Sequence, residues 1–169
     1  DLKKGGSWRY SQDPSTEVLC MAWAVDDGEV QLWKRGEPKP DFPDSICSAF
    51  SAGFEKAIWE NTLGWAPVKW TCSAAKCAAH ALPRALDKAG AALGLAIQKS
   101  QEGKKVMMKM CKPRKPTATD PSIWHEHPED FKTLYQYCID DVRAERAIAH
   151  AIRGLNETEV KIWELDQKI

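Results

Sequence analysis

A long amphipathic segment near the end of the chain limits its possible folds more than any other feature. It spans residues 127–155 and reads "HPEDFKTLYQYCIDDVRAERAIAHAIRGL". Pro128 suits the first turn of a helix, two acids follow it, and Gly154 suits the helix end. Apolar residues recur at i, i+3, i+4, i+7 and i+11, counted from Phe131. The segment therefore predicts one long helix with an apolar stripe that other elements must cover.

The clearest β-strand signal lies in the N-terminal third. The stretch "STEVLCMAWAVDDGEVQLWKRG" (15–36) has two apolar runs joined by the turn sequence "DDG", which predicts a β-hairpin. Residues 46–50 predict a short strand, and residues 53–64 predict a helix. Two Ala-rich helices, interrupted before Pro83, follow. Strands interspersed with helices in this way predict an α/β fold.

The last residues predict one more helix. Asn156 and Glu159 form a capping-box pattern at its start. The length of 169 residues suits a single domain that can bury a real core. We expect residues 1–154 to form that domain, and residues 155–169 to begin a helix leading to a further region.

The charge of the chain is balanced overall but uneven along it. Its 24 Lys and Arg match 24 Asp and Glu, so nucleic-acid contact would need a local patch. One basic segment could track DNA phosphates or could be a solvated helix face, and the sequence leaves both open: Lys104, Lys105, Lys109, Lys112, Arg114, Lys115.

The sequence also bears on the cellular compartment in which the protein is expected. The first residues are polar, so we expect no secretory signal, and the apolar runs are too short for us to expect a membrane span. The six Cys are then expected to be reduced and the protein cytoplasmic, in the host cytoplasm if it is phage-encoded.

The stretch "LYQYCIDDV" (134–142) holds two tyrosines and two adjacent aspartates. On a helical wheel, Tyr137 and Asp141 fall together on the flank of the apolar stripe, four residues apart. Tyr135 is predicted to pack inward and Asp140 to face solvent. The wheel therefore predicts that the pair of Tyr137 and Asp141 borders a cleft, although such a pair is also ordinary at a stripe edge.

The chain resembles a known family over nearly its whole length. Tyr-x-x-x-Asp on a late helix is similar to the third motif of DEDD-type 3′–5′ exonucleases, in the subclass with Tyr. The wider chain resembles the proofreading region of phage family-A (polymerase I-like) DNA polymerases. The matching segments are "DLKKGGSWRYSQDPSTEVLCMAWAVDDG", "GFEKAIWEN", "ALPRALDKAGAALGL", "MCKPRKPT", "LYQYCIDDV" and, at the join to the polymerase region, "IWELDQKI".

This resemblance implies a ribonuclease H-like mixed sheet flanked by helices and a two-metal hydrolysis of single-stranded DNA. Mg²⁺ or Mn²⁺, held by carboxylates, would be the cofactor. The motif match makes Asp141 a metal-associated carboxylate and Tyr137 the group that orients water. Glu55 falls at the acid of the second motif, as a catalytic and metal-binding residue. Without the resemblance, Glu55 would be interpreted as an exposed helix residue paired with a nearby Lys.

Two departures from the family pattern limit this expectation. The first motif, an Asp-x-Glu pair on the first strand, is absent, since the chain begins "DLKKGG". Where the family commonly has His-Asn, this sequence has Phe50 and Ser51. With Glu55 and Asp141 as its carboxylates, the chain as given is expected to be weak or inactive as a nuclease.

Two alternatives remain at the level of sequence. The domain could keep the scaffold without catalysis, as a DNA-binding or structural module attached to a polymerase. It could also be a stand-alone RNA exonuclease, which the polymerase-like end disfavours. The partners expected under the first interpretation are the 3′ end of single-stranded DNA and a C-terminal polymerase domain of the same parent chain, with no membrane.

Overall fold

The computed structural model describes residues 2–42, 45–64, 69–96 and 100–168. Within them it is a mixed α/β structure of short strands and mostly short helices. In chain order the elements are α1 (Leu2–Ser11), β1 (Cys20–Trp23), β2 (Gln31–Lys34), β3 (Ile46–Ala49), α2 (Ala52–Ile58), a π-helical turn (Trp59–Leu63), β4 (Lys69–Cys72), α3 (Ser73–Ala79), α4 (Leu86–Ala92), α5 (Gln101–Met110), α6 (Pro128–Ala151) and α7 (Glu157–Asp166).

The β-strands form two pairs. The predicted hairpin is confirmed, with β1 antiparallel to β2 and Met21 opposite Trp33. The predicted strand at 46–50 is also confirmed as β3, which pairs in parallel with β4 so that Cys47 lies opposite Trp70. Within the described ranges these pairs are separate two-stranded sheets, where one mixed sheet was expected. Strand β4 was not expected from the sequence, because "KWTC" is too short to show a clear period.

A chain of aromatic rings connects the two sheets. The ring of Trp23 on β1 lies 5.7 Å from that of Phe42, and Phe42 lies 6.3 Å from Trp59. Trp59 then meets Trp70 on β4 edge to face, with ring centroids 5.4 Å apart. Aromatic pairs at these separations stabilise a structure beyond the burial of their area. The rings therefore join the hairpin to the parallel pair without backbone pairing between them.

The predicted long helix is confirmed as α6, and the main core forms against it. Ile148 on α6 is fully buried, together with Cys77 on α3 and Ala89 on α4. Arg146, also on α6, donates hydrogen bonds to the carbonyls of Gly28 (2.6 Å) and Asp26 (3.3 Å) in the hairpin turn. Helix α6 therefore contacts both the helical layer and the hairpin.

The two ends of the chain are also helical. No element was expected at residues 2–11, which form α1 with a kink at Gly6. The predicted capping box is confirmed at the start of α7, where Asn156 and Glu159 exchange side-chain and backbone hydrogen bonds. On α7, Trp163 packs on a small buried cluster that includes Ala52 and Cys72. Among the described residues, no helix is both long and apolar enough to cross a bilayer.

Candidate functional site

A carboxylate on α6 is held by hydroxyl groups from both parallel strands. Ser48 on β3 donates a hydrogen bond to Oε1 of Glu145 (2.8 Å), and Ser73, directly after β4, donates a second one to the same oxygen (2.6 Å). Ser73 is completely buried. Because β3 and β4 run in parallel, their C-terminal ends present both hydroxyls at one edge. Two donors from a rigid pair of strands fix the direction of the Glu145 carboxylate.

Glu55 lies on α2, within range of the electrostatic influence of Glu145. The Oε2 atom of Glu55 is inaccessible to solvent and has no hydrogen-bond partner among the described residues. Burial, with a smaller contribution from the negative charge of Glu145, raises the pKa of Glu55 to about 7. The alternative of an exposed Glu55 paired with Lys is wrong, because α2 turns this side chain inward while Lys56 pairs with Glu60.

The donor set at this edge suits a hard divalent cation. Glu55 and Glu145 supply carboxylate oxygens, the ligands that Mg²⁺ and Mn²⁺ prefer. Neither forms an ion pair with a basic side chain of the described residues, and the orphaned oxygen of Glu55 lacks a positive partner. In the part of the chain that the structure describes, no three His, Cys, Asp or Glu side chains are grouped as metal ligands. A cation here would complete its coordination with water, as Mg²⁺ commonly does.

Tyr137 is more buried than the helical wheel predicts. Its side chain is only 6% exposed, because α5 lies over this face of α6. The closest approach is at Gly103 on α5, where an added Cβ would lie 2.5 Å from Cδ2 of Tyr137. Tyr137 therefore lies within the α5–α6 contact, whereas the wheel, which considers α6 alone, placed it at the border of a cleft.

Asp141 lies one helical turn from Tyr137 and one turn from Glu145, on the same side of α6. Asp141 is half-buried and takes part in at least one interaction with a neighbouring group. Asp140 lies on the other side of the helix, as the wheel predicts. Asp140 accepts hydrogen bonds from Gln136 (2.9 Å) and Arg143 (3.0 Å) at the surface.

Tyr135 packs against the hairpin. It is half-buried, its ring lies 5.8 Å from that of Phe131, and the Nζ of Lys34 on β2 lies 5.3 Å from the ring centroid. The sequence predicted that Tyr135 packs inward, but the structure leaves Tyr135 half-buried at the hairpin and buries Tyr137 instead. The chemical roles expected for Tyr137, Asp141 and Glu55 stay predictions.

Glu145 was not among the residues expected at the site. A signal was available, because Glu145 continues the four-residue series that begins with Tyr137 and Asp141 along one side of the helix. The hydroxyl groups that anchor it come from residues 97 and 72 positions away in the chain. No local pattern connects those positions.

The predicted basic segment divides into two parts. Lys104, Lys105 and Lys112 are exposed and line an open groove of about 460 Å³ along α5, which Lys109 also lines. Lys109 in addition pairs with Asp130 on α6 (2.6 Å).

The remaining basic residues lie in the loop between α5 and α6. Arg114 pairs with Asp120 and donates to the carbonyl of Trp124 (3.2 Å), so it supports the loop. Lys115 is exposed in the same loop. Only part of the expected patch is therefore available to a ligand.

Comparison with known proteins finds a relative that aligns with the whole chain. The chain is 32% identical, over 186 aligned positions, to a protein described as DNA polymerase from Bacillus phage SP02. The alignment covers 100% of this chain but 29% of that polymerase, so the chain spans less than a third of its relative. No protein-family description matches the chain, and no solved structure matches it. The chain is therefore similar, along its entire length, to one part of a phage DNA polymerase.

The raised pKa of Glu55 predicts a pH-dependent stability in the absence of divalent cations. The folded protein holds a proton on Glu55 up to about pH 7, whereas the unfolded chain releases it near the ordinary pKa of 4.5. The free energy of unfolding should therefore fall as pH rises between these values, by on the order of 3 kcal/mol. Glu55→Gln should remove most of this slope, measured by urea unfolding in EDTA at pH 5 and pH 8. Glu60→Gln, at an exposed position nearby, is the control and should keep the slope.

The contact of Gly103 with Tyr137 predicts a steric cost on substitution. Replacement of Gly by Ala inside a helix normally stabilises the helix, by up to about 1 kcal/mol. Gly103, in the first turn of α5, should behave differently: Gly103→Ala should lower the free energy of unfolding by about 1–3 kcal/mol, because the new methyl group would overlap the Tyr137 side chain. At Gly154, which lies outside the helices, an added Cβ meets no atom within 4 Å, so Gly154→Ala is the control for an unobstructed position. A stabilising Gly103→Ala would contradict the described approach of α5 to Tyr137.

Proposed function

We propose that this chain is the 3′–5′ exonuclease domain of a phage DNA polymerase, with a ribonuclease H-like fold, and that it removes 3′-terminal nucleotides from single-stranded DNA. The similarity to a phage polymerase over the full chain supports the polymerase context. The observation that carries the proposal is the buried oxygen of Glu55, the acid at the position of the family's second motif, which has no hydrogen-bond partner among the described residues. Asp141 lies one turn from Tyr137 on α6.

In this proposal the carboxylates of Asp141 and Glu55 hold Mg²⁺ or Mn²⁺. The cation, when bound, would activate water and stabilise the charge that develops on the scissile phosphate and the leaving 3′-oxygen. The protein's own part is to keep negative oxygens at a position shielded from solvent, where electrostatic interactions are stronger than in water. The resemblance assigns Tyr137 the orientation of the attacking water. Its ring is clamped against Gly103, which limits the directions that its hydroxyl can take.

The exposed lysines of α5 would guide the DNA strand. Lys104, Lys105 and Lys112 line one groove on the exposed side of α5, away from the side on which Gly103 contacts Tyr137 of α6. Phosphates bound in this groove would be released as salt increases. Lys109 and Arg114 are engaged in ion pairs, with Asp130 and Asp120, whereas Lys115 is exposed in the loop after α5.

A second candidate is an exonuclease-like module that binds DNA or supports the polymerase without catalysis. Two observations favour it. The Tyr137 side chain is almost wholly buried, and no group of three or more potential metal ligands is gathered among the described residues. Both candidate functions imply the domain boundary expected near residue 154, after which α7 would lead to the polymerase region.

The exonuclease proposal predicts a weak, cation-dependent shortening of single-stranded DNA that depends on Asp141, since the motif match assigns only Glu55 and Asp141 as carboxylates. The full chain is incubated with a 5′-labelled oligonucleotide and Mn²⁺, and the products are separated on a gel. Asp141→Asn should lower the rate by on the order of 100-fold, because a neutral amide holds the cation less well than a carboxylate does. Asp140→Asn is the matched control, because its carboxylate lies on the other side of α6 and pairs with Arg143. It should retain the rate of the unmodified chain.

The same assay separates the candidate functions. Single-stranded DNA that is bound but never shortened, with Mg²⁺ or Mn²⁺, would support the module without catalysis. Shortening of RNA in preference to DNA would support the RNA exonuclease. A chain that neither binds nor shortens DNA would overturn the proposal and its DNA-binding alternative together.

The basic groove predicts a specific change in salt dependence. Replacement of Lys104 and Lys105 together by Gln should reduce the slope of log K against log salt by about 1.4, which is about 0.7 for each phosphate that a lysine no longer neutralises. Binding of a fluorescent single strand, followed by anisotropy between low and moderate salt, measures this slope. The control replaces Lys161 and Lys168 by Gln, which removes equal charge near the other end of the chain. Equal slopes in both double variants would show that α5 is only a solvated face.

A further inference from the structure

A polar pocket beside α1 has no part in the proposed catalysis. It has a volume of about 290 Å³, and its walls include the basic side chains of Lys4 and Arg9 with Tyr10, Ser15 and Thr16. Both basic residues are exposed, and neither forms an ion pair with a carboxylate of the described residues. Two positive charges that share one cavity without an ion-pair partner favour an anionic ligand.

Asp13 is the acidic residue among those that line the pocket, and its carboxylate is already engaged. Oδ1 of Asp13 accepts hydrogen bonds from the hydroxyl (2.7 Å) and the backbone N–H (2.9 Å) of Ser15. The hydroxyl donor, followed by the backbone donor, holds the pKa of Asp13 below its ordinary value, so the carboxylate is charged at neutral pH. The lining therefore carries two positive charges against one negative charge, and its balance is positive.

Contacts within the N-terminal region fix the walls of the pocket. Oγ1 of Thr16 donates a hydrogen bond to the carbonyl of Tyr10 (2.8 Å), which folds the following turn back onto the end of α1. The side chain of Arg9 passes close to Gly5, where an added Cβ would lie 3.2 Å from Cδ of Arg9. Gly5 therefore leaves room for the Arg9 side chain. A pocket that is formed before binding has fewer groups to order when the ligand arrives, which favours affinity.

The pocket is joined to α2, the helix that carries Glu55. The ring of Tyr10 lies 6.3 Å from the ring of Phe54, the residue before Glu55. Ser11, the last residue of α1, is buried, and its Oγ accepts a hydrogen bond from Nδ2 of Asn61 (3.0 Å), in the π-helical turn that continues α2. These contacts hold α1 and its pocket in a fixed position relative to α2.

We propose that this pocket binds one phosphate of a single DNA strand through Lys4 and Arg9. The proposal rests on the proposed function, which supplies the strand. The planar guanidinium group of Arg9 can donate two hydrogen bonds to one phosphate, and the ammonium group of Lys4 adds a second charge. The volume lies just below that of pockets for drug-sized ligands, which suits one phosphate with its sugar. This contact would be separate from the groove along α5 and would hold the strand on the side of α2.

The direct test measures DNA binding without any cleavage. A fluorescent oligothymidine is titrated with the full chain in EDTA, and its anisotropy is recorded from low to moderate salt. Lys4→Gln and Arg9→Gln, combined in one double variant, should weaken binding by on the order of tenfold at low salt. The slope of log K against log salt should fall by about 0.7, the value for one phosphate of a single strand.

Two further variants separate a phosphate site from a general effect of charge. Arg84→Gln combined with Lys88→Gln removes the same two kinds of charge from exposed positions at α4, and it should leave affinity and slope nearly unchanged. Asp13→Asn removes the negative charge of the pocket but keeps an oxygen that can accept from Ser15, so it should tighten binding about twofold. Melting temperatures should stay close to that of the unmodified chain, because all the substituted side chains are exposed.

Four results would overturn the phosphate site. Unchanged binding by the Lys4 and Arg9 double variant is the first, and equal losses in the two double variants, which would show a general charge effect, are the second. Weaker binding by Asp13→Asn is the third, since removal of a negative charge must favour an anion. Competition by deoxythymidine monophosphate as strong as that by the oligonucleotide is the fourth, because it would assign the pocket to a free mononucleotide.

The phosphate site and the exonuclease activity are tested separately. Binding that depends on Lys4 and Arg9, in a chain that never shortens DNA, would support the phosphate site while the exonuclease proposal fails. Shortening of DNA by the Lys4 and Arg9 double variant at an unchanged KM would overturn the phosphate site and leave the exonuclease proposal in place.

Discussion

The packing of α6 against the hairpin and three other helices is the constraint on which this structure depends. One part of the helix contacts β1 and β2, a second part lies under α5, and its C-terminal half packs on α3 and α4. A helix of 24 residues has enough surface to reach all of them. Because Tyr137, Asp141 and Glu145 follow one another at single-turn intervals, the packing that places the helix also places these three side chains.

The two small sheets would be marginal by themselves. A two-stranded hairpin or a two-stranded parallel pair buries too little surface to be stable alone in water. Here the aromatic chain from Trp23 to Trp70 joins them, and α6 supports both through the contacts of Arg146 and Glu145. A functional consequence follows for Glu145. Its hydroxyl donors lie on β3 and directly after β4, so the carboxylate can be held only when the parallel pair is formed.

Much of the fold could be predicted because the responsible signals are local. The hairpin follows from "DDG" between apolar runs, α6 from its apolar stripe, and the start of α7 from Asn156 and Glu159. The failures also have physical reasons. Strand β4 is four residues long, too short for a periodic signal, and α1 contains Gly5 and Gly6, which are poor helix formers. Neither the arrangement of the strands in two sheets nor their link through aromatic rings follows from a local pattern.

The candidate site also has some features that the local sequence predicts and others that it does not. The helical period by itself separated Tyr137 and Asp141 from Tyr135 and Asp140, since residues four apart share a face. Only the tertiary structure decided that α5 covers Tyr137, that Glu55 points inward, and that Arg114 serves a loop. These depend on contacts between residues that are far apart in the chain. The sequence thus determined which side of α6 carries the polar groups, and the packing of α2, β3 and α5 decided what those groups meet.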